Sequence, residues 1–135
     1  MTQPAAHLQT ARMTTLDFAG IKALIIEAES LIALEISSVL SQWGALPLQL
    51  RNYDEALQIQ ARWRDYQLAI VNPPDGSISE AEIALGLQEA GVRLVICSAD
   101  PTFDQSAAGL GIAPVVTKPF ATEDLLAACA AALAT

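Results

Sequence analysis

Ala69–Ser77 reads AIVNPPDGS. An apolar run starting at Tyr66 climbs to Val71 and is cut off by an asparagine, two prolines and an Asp-Gly pair. Short continuous apolar runs are strands buried on both faces of a sheet, and Pro, Asp and Gly in succession are the turn chemistry that ends them. A residue delivered at such a strand end often faces a site. Here it is Asn72, an amide, which is neither nucleophile nor base.

The same kind of run recurs on either side. Upstream lie KALIIEA (Lys22–Ala28) and LPLQL (Leu46–Leu50), and downstream VRLVICSA (Val92–Ala99) and APVVT (Ala113–Thr117). Between them apolar residues return at helical spacing. Ser30–Ala45 carries Ile32, Ile36, Val39, Leu40 and Trp43 on one stripe, with Ser30 the expected N-cap and Gly44 the stop. Tyr53–Asp65 is expected as one helix with Asp54 and Glu55 at its positive end. Ser79–Gly91 is expected as a third, with Ser79 and Glu82 as a capping box. Pro101–Gly111 reads as a shorter helix with proline in its first turn, and Ala121–Ala134 as the last, capped by Thr122.

Five short strands alternating with five helices imply a parallel sheet covered on both faces, and right-handed crossovers leave few topologies. The expectation is an α/β flavodoxin-like (βα)5 three-layer sandwich with strand order 2-1-3-4-5. In that order ligands sit at the carboxyl ends of the strands, between the first and third. The chain has 135 residues, enough for one domain with a proper core. The domain is assigned to residues 21–135 and a tail to residues 1–20, with Met13 an alternative start.

Composition excludes several classes. Acidic residues number 15 against 7 basic, a net charge of −8, which argues against a nucleic-acid partner and against an anionic membrane surface. The first 20 residues lack the basic start and apolar core expected of a secretion signal, and no apolar run is long enough to span a bilayer. Cys97 and Cys129 read as small buried hydrophobes in a reducing compartment, so the expected localisation is cytoplasmic. One histidine, His7, and no ligand spacing leave no metal site in view.

Along the carboxyl edge the sequence sets Glu27, Ala28 and Glu29 after the first strand and Asn72 after the third. Ser98 and Ala99 follow the fourth, and Thr117, Lys118, Pro119 and Phe120 the fifth. Each has a plain alternative: a helix N-terminal acid for Glu29, a strand-end hydroxyl capping the next helix for Ser98, neutralisation of Glu27 for Lys118. Buried Lys and Glu are normally paired, so Lys118 is expected to reach Glu27 or the Asn72 amide oxygen.

In their order and spacing these segments, from Lys22 to about Leu133, resemble the receiver domain of two-component response regulators. ALIIEAES is similar to the family's first strand with its terminal acidic pair, and AIVNPPDGS to the third strand and its Pro-Asp-Gly loop. VICSA is similar to the fourth strand with its terminal hydroxyl, and TKPF to the Lys-Pro after the fifth. The resemblance implies phosphoryl transfer from a phosphohistidine to an aspartate with magnesium beside it. It implies a lysine and a hydroxyl that contact the phosphate, and an aromatic switch three residues before the lysine.

Several parts do not carry over. The phosphoacceptor position falls on Asn72. The acidic pair falls on Glu27 and Ala28, with Glu29 adjacent, and the aromatic-switch position falls on Val115. Ser98 matches the switch hydroxyl and Lys118 the phosphate-site lysine. An amide is no nucleophile, and a hard cation deprived of two carboxylates loses most of its site, so no cofactor is expected and the magnesium site is expected to be defective. Pro73 has no N–H to attack the Asn72 amide, so spontaneous deamidation to an acid is blocked. The expected function is that of a degenerate receiver domain, or pseudo-receiver, not an enzyme, acting by phosphorylation-independent protein–protein interaction in two-component signal transduction or a phosphorelay. Its expected partners are a histidine kinase, a phosphotransfer protein or an effector, and the resemblance also implies a homodimer through the face around the fourth helix, fifth strand and fifth helix. Leu31 and Leu34 of the first helix are expected to be exposed. The alternatives are an active receiver with an atypical acceptor such as Asp75, or a small-ligand-binding flavodoxin-like protein. For the latter GLG at Gly109–Gly111 is a poor fingerprint, lacking a third glycine and preceding a strand.

Overall fold

The structure, a computed structural model, describes residues 18–100, 102, 103, 110 and 113–134. It contains β1 (Lys22–Ile26), α1 (Ser30–Gln42), β2 (Leu46–Leu50) and α2 (Tyr53–Gln58). A 3-10 turn (Gln60–Asp65), β3 (Leu68–Val71), α3 (Ile78–Glu89), β4 (Arg93–Ser98), β5 (Val115–Thr117) and α4 (Thr122–Leu133) come after them. The strands form one parallel sheet of order β2-β1-β3-β4-β5, the flavodoxin-like arrangement expected from the alternation. The helix expected at Pro101–Gly111 lies largely outside the described residues, as does most of the expected tail. Of that tail's last residues, Phe18 is buried and its N–H donates to the Trp43 carbonyl at 3.2 Å.

Alternation along each strand divides the core in two. Ala23, Ile25, Leu68, Ile70, Val95, Cys97 and Val116 face α1 and α4, where Ala33, Ile36, Leu40, Leu125, Leu126 and Cys129 meet them. Leu24, Ile26, Ala69, Val71, Leu94 and Ile96 face the other side, against Tyr53, Ala56, Trp63, Ile83, Ala84 and Leu87. Fully burying one Leu or Ile stabilises the fold by roughly 1.5–3 kcal/mol, so the central strands anchor both layers. At the β2 edge Leu46 donates inward to the Ile21 carbonyl. The alternate position, Pro47, therefore turns its N–H-free edge outward, which blunts the strand against pairing with another chain.

Three local expectations are corrected. The helix expected over Tyr53–Asp65 ends at Gln58 and continues as the 3-10 turn. The cause is Trp63: its indole N–H donates to the Ala56 carbonyl at 2.9 Å, and Ile59 N–H takes the same carbonyl at 3.1 Å, leaving no α-helical partner there for the amide of Gln60. The cap of α3 is Ser77, not Ser79. Ser77 Oγ accepts from Glu80 N–H at 3.2 Å, and Glu80 Oε1 accepts from Asp75 N–H at 2.9 Å. The chain can enter the helix two residues early because Gly76 takes φ 92°, so Glu82 is released to the surface. Ser30 and Thr122 begin their helices without capping them: the N-caps are Glu29 and Ala121, neither with a side-chain cap bond. No helix among the described residues is long and apolar enough to cross a membrane. Leu31 and Leu34 are exposed, at 82% and 59%.

Candidate functional site

At the carboxyl edge β1, β3 and β5 deliver three side chains that close on one another. Glu27 follows β1 and is 3% exposed. The Lys118 ammonium lies 2.7 Å from Glu27 Oε1 and donates to Asn72 Oδ1 at 2.9 Å. Asn72 Nδ2 in turn donates to Glu27 Oε2 at 3.4 Å, and Glu29 N–H donates to the same oxygen at 3.0 Å. The result is a neutral triangle of carboxylate, ammonium and amide. Glu27 Oε1 takes no bond of hydrogen-bond geometry, but an ammonium at 2.7 Å is a close ion pair, and that contact satisfies its charge.

The backbone fixes the triangle. Asn72 N–H donates to the Ile26 carbonyl at 3.1 Å, and Lys118 N–H donates to the Ser98 carbonyl at 2.8 Å. The Lys118–Pro119 peptide is cis. Tyr53 donates its hydroxyl to the Asn72 carbonyl. Sequence reading placed Tyr53 only as a helix start; the asparagine before it, Asn52, which caps α2 by accepting from Glu55 N–H at 2.9 Å, is the signal that fixes its position.

The other sequence-chosen residues stand apart. Ala28 and Glu29 are exposed. Ser98 is buried, and its hydroxyl is spent on its own loop, donating to the Asp100 carbonyl and accepting from Asp100 N–H, each at 3.0 Å. Val115, at the outer edge of β5, is 36% exposed. Asp75 is exposed and accepts from Ser77 N–H at 2.8 Å, bonds that hold its carboxyl below the usual range.

Burial shapes the ionisation of the groups behind the site. It pushes the Cys97 thiol up to about 12, with Lys118 opposing and Glu27 adding to the rise. It pushes Cys129 up to about 12 as well, with Cys97 adding. Burial also raises the Tyr53 phenol, with Glu80 and Asp75 contributing. All three hold their protons more tightly folded than unfolded. Their stabilising contribution is therefore complete below the ordinary values, 9.0 for the thiols and 10.0 for the phenol, and is lost as pH rises through the folded ones. Stability in urea is expected to be level near neutrality and to fall as pH climbs past the ordinary thiol value. Neither native cysteine is expected to react with iodoacetamide at mildly alkaline pH, whereas both react in urea. Mass spectrometry of the labelled protein checks this, and rapid native labelling would contradict it.

The doubly wound sheet and its crevice define the flavodoxin-like class, and solved structures narrow the fold further. No family model and no curated protein sequence matches the chain. Among solved structures it is similar to a response regulator from Thermotoga maritima, at 16% identity and TM-score 0.71, covering 86% of this chain and 99% of that one. It is similar to a response regulator receiver protein from Sinorhizobium medicae, at 19% identity and TM-score 0.73, covering 86% and 96%. It is also similar to the response regulator PhyR from Brucella abortus, at 25% identity and TM-score 0.69, covering 93% of this chain and 53% of that one. The fold is that of the receiver domain.

The magnesium ion that the receiver resemblance implies does not fit these residues. Such an ion asks for several oxygen ligands in near-octahedral array. Ala28 has none, the one Asn72 oxygen is neutral and already bound to Lys118, and an ammonium stands against the only carboxylate of the triangle. Among the described residues no group of three His, Cys, Asp or Glu side chains could hold a metal ion.

Proposed function

We propose that this chain is a pseudo-receiver: a signalling module with the receiver fold that works by binding protein partners and is not switched by aspartyl phosphorylation. The observation that carries the reading is the closed triangle of Glu27, Asn72 and Lys118. Phosphoryl transfer to a receiver needs an anionic nucleophile, a divalent cation and a cationic side chain free to meet the incoming phosphoryl group. Here an amide occupies the nucleophile's place, and the ammonium is committed to neighbours at 2.7 and 2.9 Å. The Ser98 hydroxyl is bound within its own loop.

On this reading the chain is not an enzyme. It acts in the cytoplasm in two-component signalling, as the likeness to response regulators supports, and its partners are a histidine kinase, a phosphotransfer protein, an effector or a second copy of itself. Incubation with magnesium and acetyl phosphate is expected to leave the intact mass unchanged. A stoichiometric gain of one phosphoryl group on an Asp or Glu would overturn the reading, and peptide mapping would then show whether Asp75 is the acceptor.

A further inference from the structure

On the face of the sheet opposite α1 and α4, the surface between α2 with its 3-10 turn and α3 opens into two notches. They share Gln60, Trp63 and Gly86, so they form one groove. The first holds about 260 Å³ and is walled by Asp54, Leu57, Ser79, Glu82 and Ile83. The second holds about 380 Å³ and continues past Arg64 to Glu89.

Two departures from a regular helical layer create the groove. The Trp63 indole captures the Ala56 carbonyl, so residues 60–65 wind as a 3-10 coil, which is narrower than an α-helix and covers less of its neighbour. On α3, Gly86 supplies no side chain; a Cβ there would stand 3.0 Å from Trp63 Cζ3. The floor is therefore the Trp63 ring, with Ile83 beside it and Leu57, 45% exposed, on the rim. The first notch carries two exposed carboxylates, Asp54 and Glu82, and no Lys or Arg among its lining residues. The shift of the α3 cap to Ser77 leaves Glu82 there with no capping task.

We propose that this groove docks a basic amphipathic helical segment of a partner protein. One large apolar side chain covers Trp63, Leu57 and Ile83, and a Lys or Arg one turn away enters between Asp54 and Glu82. Charge complementarity selects this occupant: Asp54, Glu82 and Glu89 against the single Arg64 leave the groove acidic beside an apolar floor, which repels an acidic peptide, an anionic bilayer and a nucleic acid alike. At about 260 Å³ the first notch suits one anchoring side chain of a helix laid in a groove, and the second continues the groove along the helix that carries it. The groove shares no lining residue with the triangle of Glu27, Asn72 and Lys118, so phosphorylation chemistry and groove binding succeed or fail separately.

The test uses the full chain with Trp43→Phe, leaving Trp63 as the sole tryptophan reporter. The probe is a synthetic Leu/Lys amphipathic helix of about 15 residues, with a Leu/Glu counterpart as control. Saturable change in Trp63 emission is expected with the Leu/Lys peptide and none with the Leu/Glu peptide. Glu82→Lys or Leu57→Ser, both at exposed positions, is expected to weaken binding about tenfold or more. Glu123→Lys on α4 makes the same change in net charge far from the groove and is expected to leave the affinity unchanged. Equal loss with Glu123→Lys, undiminished binding by both groove variants, comparable binding of the Leu/Glu peptide, or no saturable signal would each overturn the proposal.

Discussion

Lys118→Met is expected to lower stability by roughly 3–5 kcal/mol, because it strands a buried carboxylate. Glu27 is 3% exposed, and its Oε1 has only the ammonium to answer its charge. The remaining donors, Asn72 Nδ2 at 3.4 Å and Glu29 N–H at 3.0 Å, reach Oε2 alone. The Lys118 side chain is itself 14% exposed, so water can enter part of the vacated space, and the lower half of that range is expected. Against a total stability of roughly 5–15 kcal/mol for an ordinary domain, the loss should appear as a large shift of the urea midpoint. The double variant Glu27→Gln/Lys118→Met removes both charges and keeps an amide able to bond Asn72, so it should recover most of the loss. A double-mutant cycle on urea unfolding measures the coupling. A single-variant cost below about 1 kcal/mol, the value of an exposed pair, would show that the triangle does not hold the strand ends together.

Trp63→Ala is expected to cost roughly 3–5 kcal/mol, as aromatic truncations in cores do. Trp63 is 4% exposed and packs in the layer with Tyr53, Ile83 and Leu87. Truncation removes the ring on which α3 rests at Gly86 and the indole N–H bound to the Ala56 carbonyl. Trp63→Phe keeps the part of the ring nearest the backbone but drops both the hydrogen bond and the distal Cζ3/Cη2 edge at Gly86, and should cost less than Trp63→Ala, since part of the aromatic burial remains and Ala56 keeps its bond from Ile59 N–H. Urea unfolding followed by far-ultraviolet circular dichroism measures both. If Trp63→Phe costs as much as Trp63→Ala, the indole N–H and the distal edge at Gly86, rather than the rest of the ring, hold this layer together.

The fold was legible because strands buried on both faces must be apolar throughout. Ala23–Ile26, Leu68–Val71 and Leu94–Cys97 are fully buried, and such runs stand out from the helical stripes between them. Helix ends were less legible. Ser77-Ile-Ser-Glu-Ala-Glu82 contains the capping pattern twice, and only the positive φ of Gly76 and the turn from Asp75 select the first copy. The break after Gln58 was hidden for a related reason: helical periodicity continues through Trp63, and the competing hydrogen bond comes from a side chain seven residues beyond its acceptor.

For the site, the sequence by itself determined the participants. An amide where the receiver resemblance implies an acid, one glutamate where it implies an acidic pair, and a lysine before proline that matches it were all readable in the sequence, and the first two underlie the proposal that aspartyl phosphorylation does not switch this chain. Which of them meet was decided by the tertiary structure. Parallel pairing of Ile26 with Val71 and of Ser98 with Thr117 carries Glu27, Asn72 and Lys118 past the ends of their strands into one crevice, where a buried carboxylate must take the nearest cation. The side chains of Ala28 and Glu29, one and two residues beyond Glu27, are already exposed, and only the Glu29 N–H reaches back to it. Ser98 satisfies its hydroxyl on its own loop because the Asp100 backbone is within reach. Local sequence specifies residue types and periods; long-range pairing and the cost of burying an unpaired charge specify the contacts.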